Sequence, residues 1–266
     1  KIDNIWRGKM LPQERYEEIL NILDQSKVIK VSELCDYFGV SIETIRRDLE
    51  HLESEGHLKR VYGGAISLKK TSAEPSYNAR FTINPEEKKA IARKTAELVK
   101  DRETLIIDLG TTTLEVAKHL RNKKNLTIIT NCLSIAQELV DIPGNRVFLS
   151  GGQLRAEELA LSGYLSEDFF KQFNVDKTII GVGGITIDGG ISDYHIDENK
   201  VRKIMIEKGE QVIAVADHSK FGVKALINVC SLDKIDILVS DYLLPKDEVE
   251  KYWKNKVKRV IAEKNP

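Results

Sequence analysis

Residues 41–49 read SIETIRRDL, with Arg46 and Arg47 side by side. Ser41 belongs to the residue types that cap helices, because its hydroxyl accepts from an early backbone N–H. Behind it Ile42, Ile45, Leu49 and Leu52 recur at helical spacing, so the stretch reads as an amphipathic helix with those four side chains inward. Glu43, Thr44 and Arg47 then point away from the apolar stripe, and Arg46 flanks its edge. The surrounding residues 10–66 are not basic: seven Lys/Arg stand against eleven Asp/Glu. Two adjacent arginines on such a helix are either a solvated face, paired at i,i+4 spacing with Glu43 or Glu50, or a face that meets a polyanion.

The neighbouring residues favour the polyanion. Tyr16, Ile19, Leu20 and Leu23 predict a helix from Pro12, a residue suited to a first helical turn. Val31, Leu34, Cys35 and Phe38 repeat the spacing, with Ser32 as the expected cap, and Gly39 supplies a stop and turn. Gly56 is expected to close the arginine helix. Two β-prone pieces follow, Leu58–Val61 and Ala65–Ser67, joined through Tyr62, Gly63 and Gly64, which predicts a hairpin. Helix, short helix, turn, helix and hairpin make a winged helix-turn-helix, whose last helix enters the DNA major groove. Thr44 and Arg47 would face base edges, Arg46 a phosphate, and Lys59 and Arg60 on the wing the DNA backbone. Surplus acids such as Glu14, Glu17 and Asp24 can occupy other faces.

These blocks resemble the DeoR-type bacterial transcription regulators. The stretches LPQERYEEIL and VSELCDYFGVSIETIRRDLEHLESEGHLKRVYGGA carry the resemblance, above all ETIRRDL followed by RVYGGA. The resemblance implies DNA binding by Ser41, Glu43, Thr44, Arg46, Arg47, Lys59 and Arg60.

The chain has 266 residues, enough for two domains of unequal size, and 41% hydrophobic residues, enough for well-filled cores. Its formal net charge is zero, so any basic patch must be local. Cys35, Cys132 and Cys230 are odd in number, widely spaced and outside any C-x-x-C pair, which argues against disulfides and zinc and fits a reducing cytoplasm. No apolar run has the length of a membrane span, and no membrane partner is expected. Residues 1–9 lack the apolar core of a signal peptide and read as a disordered tail before Met10, a candidate start. Residues 67–86, with Pro75 and Pro85 and no helical period, read as a joint between domains, where Lys69 and Lys70 are solvated or touch phosphate.

From residue 87 the pattern alternates. Ile91, Thr95 and Leu98 share a helical face after Pro85. Strand-like runs follow at Thr104–Ile107, Leu126–Thr130, Arg146–Leu149, Lys177–Val182, Gln211–Ala216, Ile235–Val239 and Arg259–Ala262, with helical stretches between several of them. That predicts an α/β domain with a mainly parallel sheet, in which ligands bind beyond the carboxyl ends of the strands. The first strand leads into DLGTTTLEVAKHL, where Gly110 permits a tight turn and Thr112 and Glu115 have capping-box spacing. Helix N–H groups and three hydroxyls make this a candidate phosphate site, the alternative being an ordinary strand-to-helix turn. It is not a Walker A loop, since no G-K-[ST] follows.

Asn131 ends the second strand as a cap or an amide for a ligand. Gly151 and Gly152 permit close backbone approach, with Arg155 adding charge. IIGVGGI lacks the G-x-G-x-x-G spacing of a dinucleotide site. Asp193, His195, Asp197 and Glu198 precede a helix in which Arg202 either pairs with Glu198 one turn back or faces an anionic ligand. Asp193 and His195 are candidates for sugar hydroxyls and Lys220 for an anion. A metal site is not expected, because these residues are adjacent rather than on one helical face.

DLGTTTLEVA, ITNCLSIAQEL, LSGGQLR, KVRKIMIE and DHSKFG again resemble the DeoR family, in its sensor domain, so the resemblance spans residues 10–245. It implies a fold similar to ribose-5-phosphate isomerase, phosphorylated-sugar effectors, assembly as dimers or larger oligomers, and repression of sugar-catabolism operons relieved by the metabolite. The effector set it implies, joined to the residues above, is Asp108, Gly110, Thr111, Thr112, Thr113, Asn131, Gly151, Gly152, Asp193, His195, Arg202 and Lys220. No cofactor is expected. Two departures are visible: Gly183 stands where many relatives carry Asp, and the SDYH at 192–195 matches only a subset of the family. An isomerase-like enzyme, with Glu198 or Asp193 as base and Lys220 as electrophile, is the alternative function, and loss of a carboxylate at Gly183 tells against it. A dinucleotide-binding redox sensor lacks its glycine fingerprint.

Overall fold

The computed structural model describes residues 11–26, 28–55, 57–61, 63–67, 74, 76–244, 250, 252 and 257–262. The expected tail, Gly56, Tyr62, Lys69, Lys70, Pro75 and the side chain of Lys59 lie outside the described residues. The chain forms two compact units that divide between Ala73 and Glu74.

The first unit runs α1 (Pro12–Ser26), β1 (Val28–Lys30), α2 (Val31–Phe38), α3 (Ile42–Ser54), β2 (Leu58–Val61) and β3 (Gly64–Ser67). The hairpin is present, and β1 pairs with β3 to make it a three-stranded antiparallel sheet, an addition not visible in the sequence. Three residues are too few to show a strand period. The helical stripes meet in one core of Ile19, Leu23, Leu34, Phe38, Ile45, Leu49 and Leu52, closed by Leu58 of the wing. Gly39 adopts the left-handed conformation (φ 66°) and its N–H closes α2 on Cys35 O, as expected.

Two local expectations fail. α2 starts one residue before Ser32, and the backbone N–H of Lys30 is taken by Glu33, so the carboxylate replaces the serine cap. Ile42, placed in the apolar stripe by spacing, is 54% exposed, because the first helical turn overshoots the core.

The second unit contains α4 (Tyr77–Thr82), α5 (Pro85–Glu97), β4 (Thr104–Ile107), α6 (Thr111–His119), β5 (Thr127–Thr130), α7 (Leu133–Val140), β6 (Arg146–Leu149), β7 (Gln153–Arg155), β8 (Ala160–Ser162), α8 (Tyr164–Lys171), β9 (Val175–Gly181), β10 (Gly184–Thr186), β11 (Gly190–Asp193), α9 (Ile196–Lys208), β12 (Gly209–Val215), β13 (Ile227–Cys230), β14 (Ile237–Asp241) and β15 (Lys258–Ala262). The joint expected at 67–86 is thus structured in its second half: α4, capped by Ser76, belongs to this unit.

All seven strand-like runs lie in one sheet of order β15-β14-β12-β9-β4-β5-β6, every pairing parallel. Runs such as TLII and TIIT are β-branched and buried on both faces, which a sheet covered by helices requires. The chain leaves β4 toward β5 and β6, then returns to β9 on the other side of β4. The crevice between β4 and β9 is therefore the topological switch point, where ligands of such sheets bind. A smaller antiparallel sheet β10-β11-β13 and the hairpin β7-β8 stand beside the main sheet.

Candidate functional site

In the first unit, Ser41 caps α3, its Oγ accepting from Thr44 N at 3.2 Å and lying 2.9 Å from Thr44 Oγ1. Its hydroxyl is thereby engaged in holding the helix start. Glu43, Arg46 and Arg47 are exposed on the face opposite the core, together with Ile42. Arg47 is 77% exposed and lies 3.6 Å from Glu43, the i,i+4 pair of the solvated-face reading. A pair this exposed is held by well under about 1 kcal/mol and does not prevent the arginine from reaching a stronger anion. Arg60 is more constrained: its Nε donates to Glu53 at 2.6 Å, its backbone N–H donates to the same carboxylate at 2.7 Å, and Glu50 is 3.8 Å away. That clamp fixes the wing to α3.

The aspartate of the RRDL core serves a different purpose. Asp48 is buried and accepts from Arg15 of α1, with Nη2 at 2.9 Å, so it joins the two helices beneath the exposed face.

In the second unit, the loop after β4 lies at the switch point. The N–H of Asp108 reaches across to Ile179 O of β9 at 3.0 Å. Gly110 holds φ 138° and precedes the first turn of α6, so the free N–H groups of that turn open at the carboxyl edge of the sheet. The capping box read at Thr112 and Glu115 does not form. α6 begins at Thr111, and Glu115 instead pairs with Lys118 at 3.0 Å. Of the three hydroxyls, that of Thr113 is donated to Gly110 O; Thr111 is buried and Thr112 half-buried.

Two lysines stand near this turn. Lys88 of α5 is buried and donates to the carbonyls of Arg80 and Ile83. Burial lowers its ammonium to about 8, with Asp217 opposing that shift and Lys220 and Arg80 adding to it. Lys220 lies in the 3-10 turn His218–Lys220 after β12, half-exposed. Buried Asp217 is held by Asn84 Nδ2 at 3.1 Å and Ser219 N at 2.9 Å, and Lys220 keeps its carboxyl below the ordinary range against the opposing effect of burial.

A second cluster occupies the ends of β4, β5 and β11. Arg202 of α9 is buried and bonded to both Asp108 and Asp193. Its charge is thus met by two carboxylates of the chain, and neither is the Glu198 read as its partner one turn back. Glu198 accepts from Arg155 Nε at 2.6 Å instead. Burial pushes the Asp108 carboxyl up to about 6; Arg202 opposes this, while Asp193 and Glu198 add to it. His195 Nε2 lies 2.7 Å from Glu74 Oε2 and 3.0 Å from Arg155 Nη1. Arg80 bridges Glu158 and Glu74.

Asn131 donates from Nδ2 to Leu161 O at 3.2 Å, and Cys132 rather than Asn131 precedes α7. Gly152 (φ 136°) faces Ser162 O so closely that a Cβ would collide, which makes it a requirement of the β7-β8 hairpin. Gly151 is exposed with open space around it. At Gly183 a Cβ would lie 3.0 Å from each of Asp193 Cα, Ser192 O and Tyr194 Cε2, so a side chain there requires these neighbours to shift.

Family models match both units: the DeoR-like helix-turn-helix domain over residues 15–71 and the DeoR C-terminal sensor domain over residues 83–242. The chain belongs to the DeoR family of transcriptional regulators. Among its DeoR relatives, the glycerol-3-phosphate regulon repressor of Escherichia coli (strain K12) is 37% identical, over 87% of this chain and 92% of its own. The transcriptional regulator GolR of Listeria innocua is 36% identical over 91% and 96%. The repressor GlcR of Bacillus subtilis (strain 168) is 36% identical over 96% and 98%. Among solved structures, ribose 5-phosphate isomerase A of Methanocaldococcus jannaschii overlaps 53% of this chain and 56% of its own, with 15% identity and a TM-score of 0.39. A match that weak bears on neither activity nor ligand.

In the second unit of this DeoR chain, sequence reasoning missed Glu74, Arg80, Lys88, Glu158 and Asp217 as members of the polar clusters. A buried lysine inside EEKKAIARK reads as solvated helix, and only the register of α5 on the sheet turns it inward. Among the described residues no group of three or more His, Cys, Asp or Glu could hold a metal ion.

Proposed function

We propose that this DeoR-family chain is a repressor of sugar-use genes, released from its operator by a phosphorylated sugar, and that it acts as a homo-oligomer without catalytic activity. The observation that carries the sensor half is the coincidence, at the switch point, of the α6 N-terminus with Lys88 and Lys220. The two lysines share the charge of Asp217, which Asn84 and Ser219 also hold. A dianionic phosphate supplies what that arrangement lacks. Relatives named as repressors support the DNA half. On this reading Thr44, Arg46, Arg47 and Ile42 meet DNA, Gly110 to Thr113 hold phosphate, and Asn131, Asp193 and His195 line the sugar. Arg202 positions Asp108 and Asp193. Release follows from linkage: the effector binds better to a form in which paired recognition helices no longer match the half-site spacing.

The test is a titration of purified protein onto labelled DNA from immediately upstream of its own gene, at fixed salt because affinity depends steeply on it. Saturable binding that one phosphorylated sugar abolishes is expected. Specific binding insensitive to every sugar phosphate would refute the sensor half, and turnover of any sugar phosphate would favour the isomerase alternative.

A further inference from the structure

Among the described residues, three buried acceptor atoms at the sheet's carboxyl edge find no hydrogen-bond partner: Asp108 Oδ1, Asn131 Oδ1 and Glu158 Oε2. All three residues are at most 2% exposed. Orphaned buried acceptors are rare in native proteins, and each calls for a donor.

The fold brings them into one layer. Ile107 and Thr130 are register partners on adjacent parallel strands, so Asp108 and Asn131 leave β4 and β5 side by side. The turn between β7 and β8 is bonded down onto the end of β5, through Leu161 N to Asn131 O and Leu133 N to Leu159 O, both 2.8 Å. Glu158 lies in that turn, its carbonyl 3.9 Å from Cys132 Sγ. Three elements distant in sequence thus each present an acceptor at the same edge of the sheet.

The charge of this region is not balanced. Five carboxylates (Glu74, Asp108, Glu158, Asp193 and Glu198) are joined to three guanidiniums, those of Arg80, Arg155 and Arg202. Arg155 Nη2 makes no hydrogen bond among the described residues, though it lies 3.6 Å from Glu158 Oε1. Its guanidinium already serves Glu74, Glu158 and Glu198, so it has no charge left over for a further anion. The first turn of α6 is the opposite case, with free N–H groups of its own and the cations Lys88 of α5 and Lys220 of the His218–Lys220 turn.

We propose that the end of the effector remote from its phosphate carries hydrogen-bond donors and no negative charge, with Glu158 joining Asp108 and Asn131 as the residues that read it. Sugar and polyol phosphates fit this description, and the phosphates of sugar acids do not. The inference rests on the phosphate reading above and adds the chemistry of the other end. A hydroxyl offers its proton to Asp108, Asn131 or Glu158. A carboxylate in the same place offers none and adds a sixth negative charge to the layer.

Calorimetric titration of the full chain tests it with matched sets of three- to six-carbon ligands. Each set holds a polyol phosphate, an aldose phosphate and an aldonate phosphate of the same length and phosphate position, with inorganic phosphate as baseline. In the best-binding set the hydroxyl-ended members should bind at least about tenfold more tightly than the aldonate, since like charges brought together cost specificity in this way. Glu158→Gln should narrow that gap by removing one charge and supplying a donor. An aldonate phosphate that binds as well as its polyol overturns this inference and leaves the phosphate reading standing. If no ester binds better than inorganic phosphate, both fall. The wild-type comparison decides the matter even where the Glu158→Gln chain does not fold.

Discussion

Asp48 and Arg47 are neighbours in RRDL with opposite duties. Asp48 is buried against Arg15, and cutting it to alanine removes the carboxylate that holds a buried guanidinium. Asp48→Ala should destabilise the first unit by about 3–5 kcal/mol, the usual cost of halving a buried ion pair; urea unfolding followed by circular dichroism measures it. Arg47→Ala should leave stability within about 0.5 kcal/mol, as for exposed sites without special contacts. The same change should weaken operator binding by about 1–3 kcal/mol if the side chain grips a guanine edge. Unchanged operator affinity in that variant would remove Arg47 from the interface. Ile42→Ala separates the two duties again. The side chain is exposed, so folding should persist, while lost contact with a thymine methyl should lower affinity for some operator sequences and not others.

At the scale of elements, the first turn of α6 depends on Gly110. Its φ of 138° is one that side chains rarely adopt, and a Cβ would lie 3.2 Å from Thr113 Oγ1. Gly110→Ala should therefore cost about 1–3 kcal/mol of stability and weaken phosphate-ester binding, because the N–H groups of the turn lose their aim. Lys88 of α5 gives a pH signature. Its folded value, about 8, lies below the ordinary 10.5, so its ammonium is lost in the folded protein first. Two consequences follow with opposite signs. Effector affinity should fall as pH rises above 8, by up to about tenfold per unit, because the anion needs the charge. Stability of the free protein should gain over the window from 8 to 10.5, because the unfolded chain still binds the proton that the folded chain has shed. Lys88→Met should abolish the first effect while an unaltered pH profile in that variant would show that another group titrates.

Elements also explain what could be read without a structure. The seven parallel strands were legible because each is a short run rich in apolar residues, and the central ones, such as β4 and β5, are buried on both faces. The wing and the α3 stripe were legible through glycine placement and helical period. β1, β7, β8, β10, β11 and β13 were not, since three or four residues carry no period. Asp193 and Arg202 stood out in the sequence as polar groups beside a helix, yet Asp108 stands 94 positions from Arg202, and no local spacing encodes that pairing. Glu158 and Glu74 looked like ordinary surface acids for the same reason.

On the scale of the whole molecule, a DeoR regulator must make one ligand equilibrium depend on another. Coupling of two sites is reciprocal: whatever factor the effector takes from operator affinity, the operator must take from effector affinity. The direct measurement is a calorimetric titration of the releasing sugar phosphate into the full chain, free and saturated with operator DNA, at one salt concentration and pH 7. The dissociation constant should rise on DNA by the same factor by which the effector weakens operator binding, typically about 5–150-fold for such coupling. Equal effector affinity for the free and the DNA-bound chain would contradict a repressor released by its ligand.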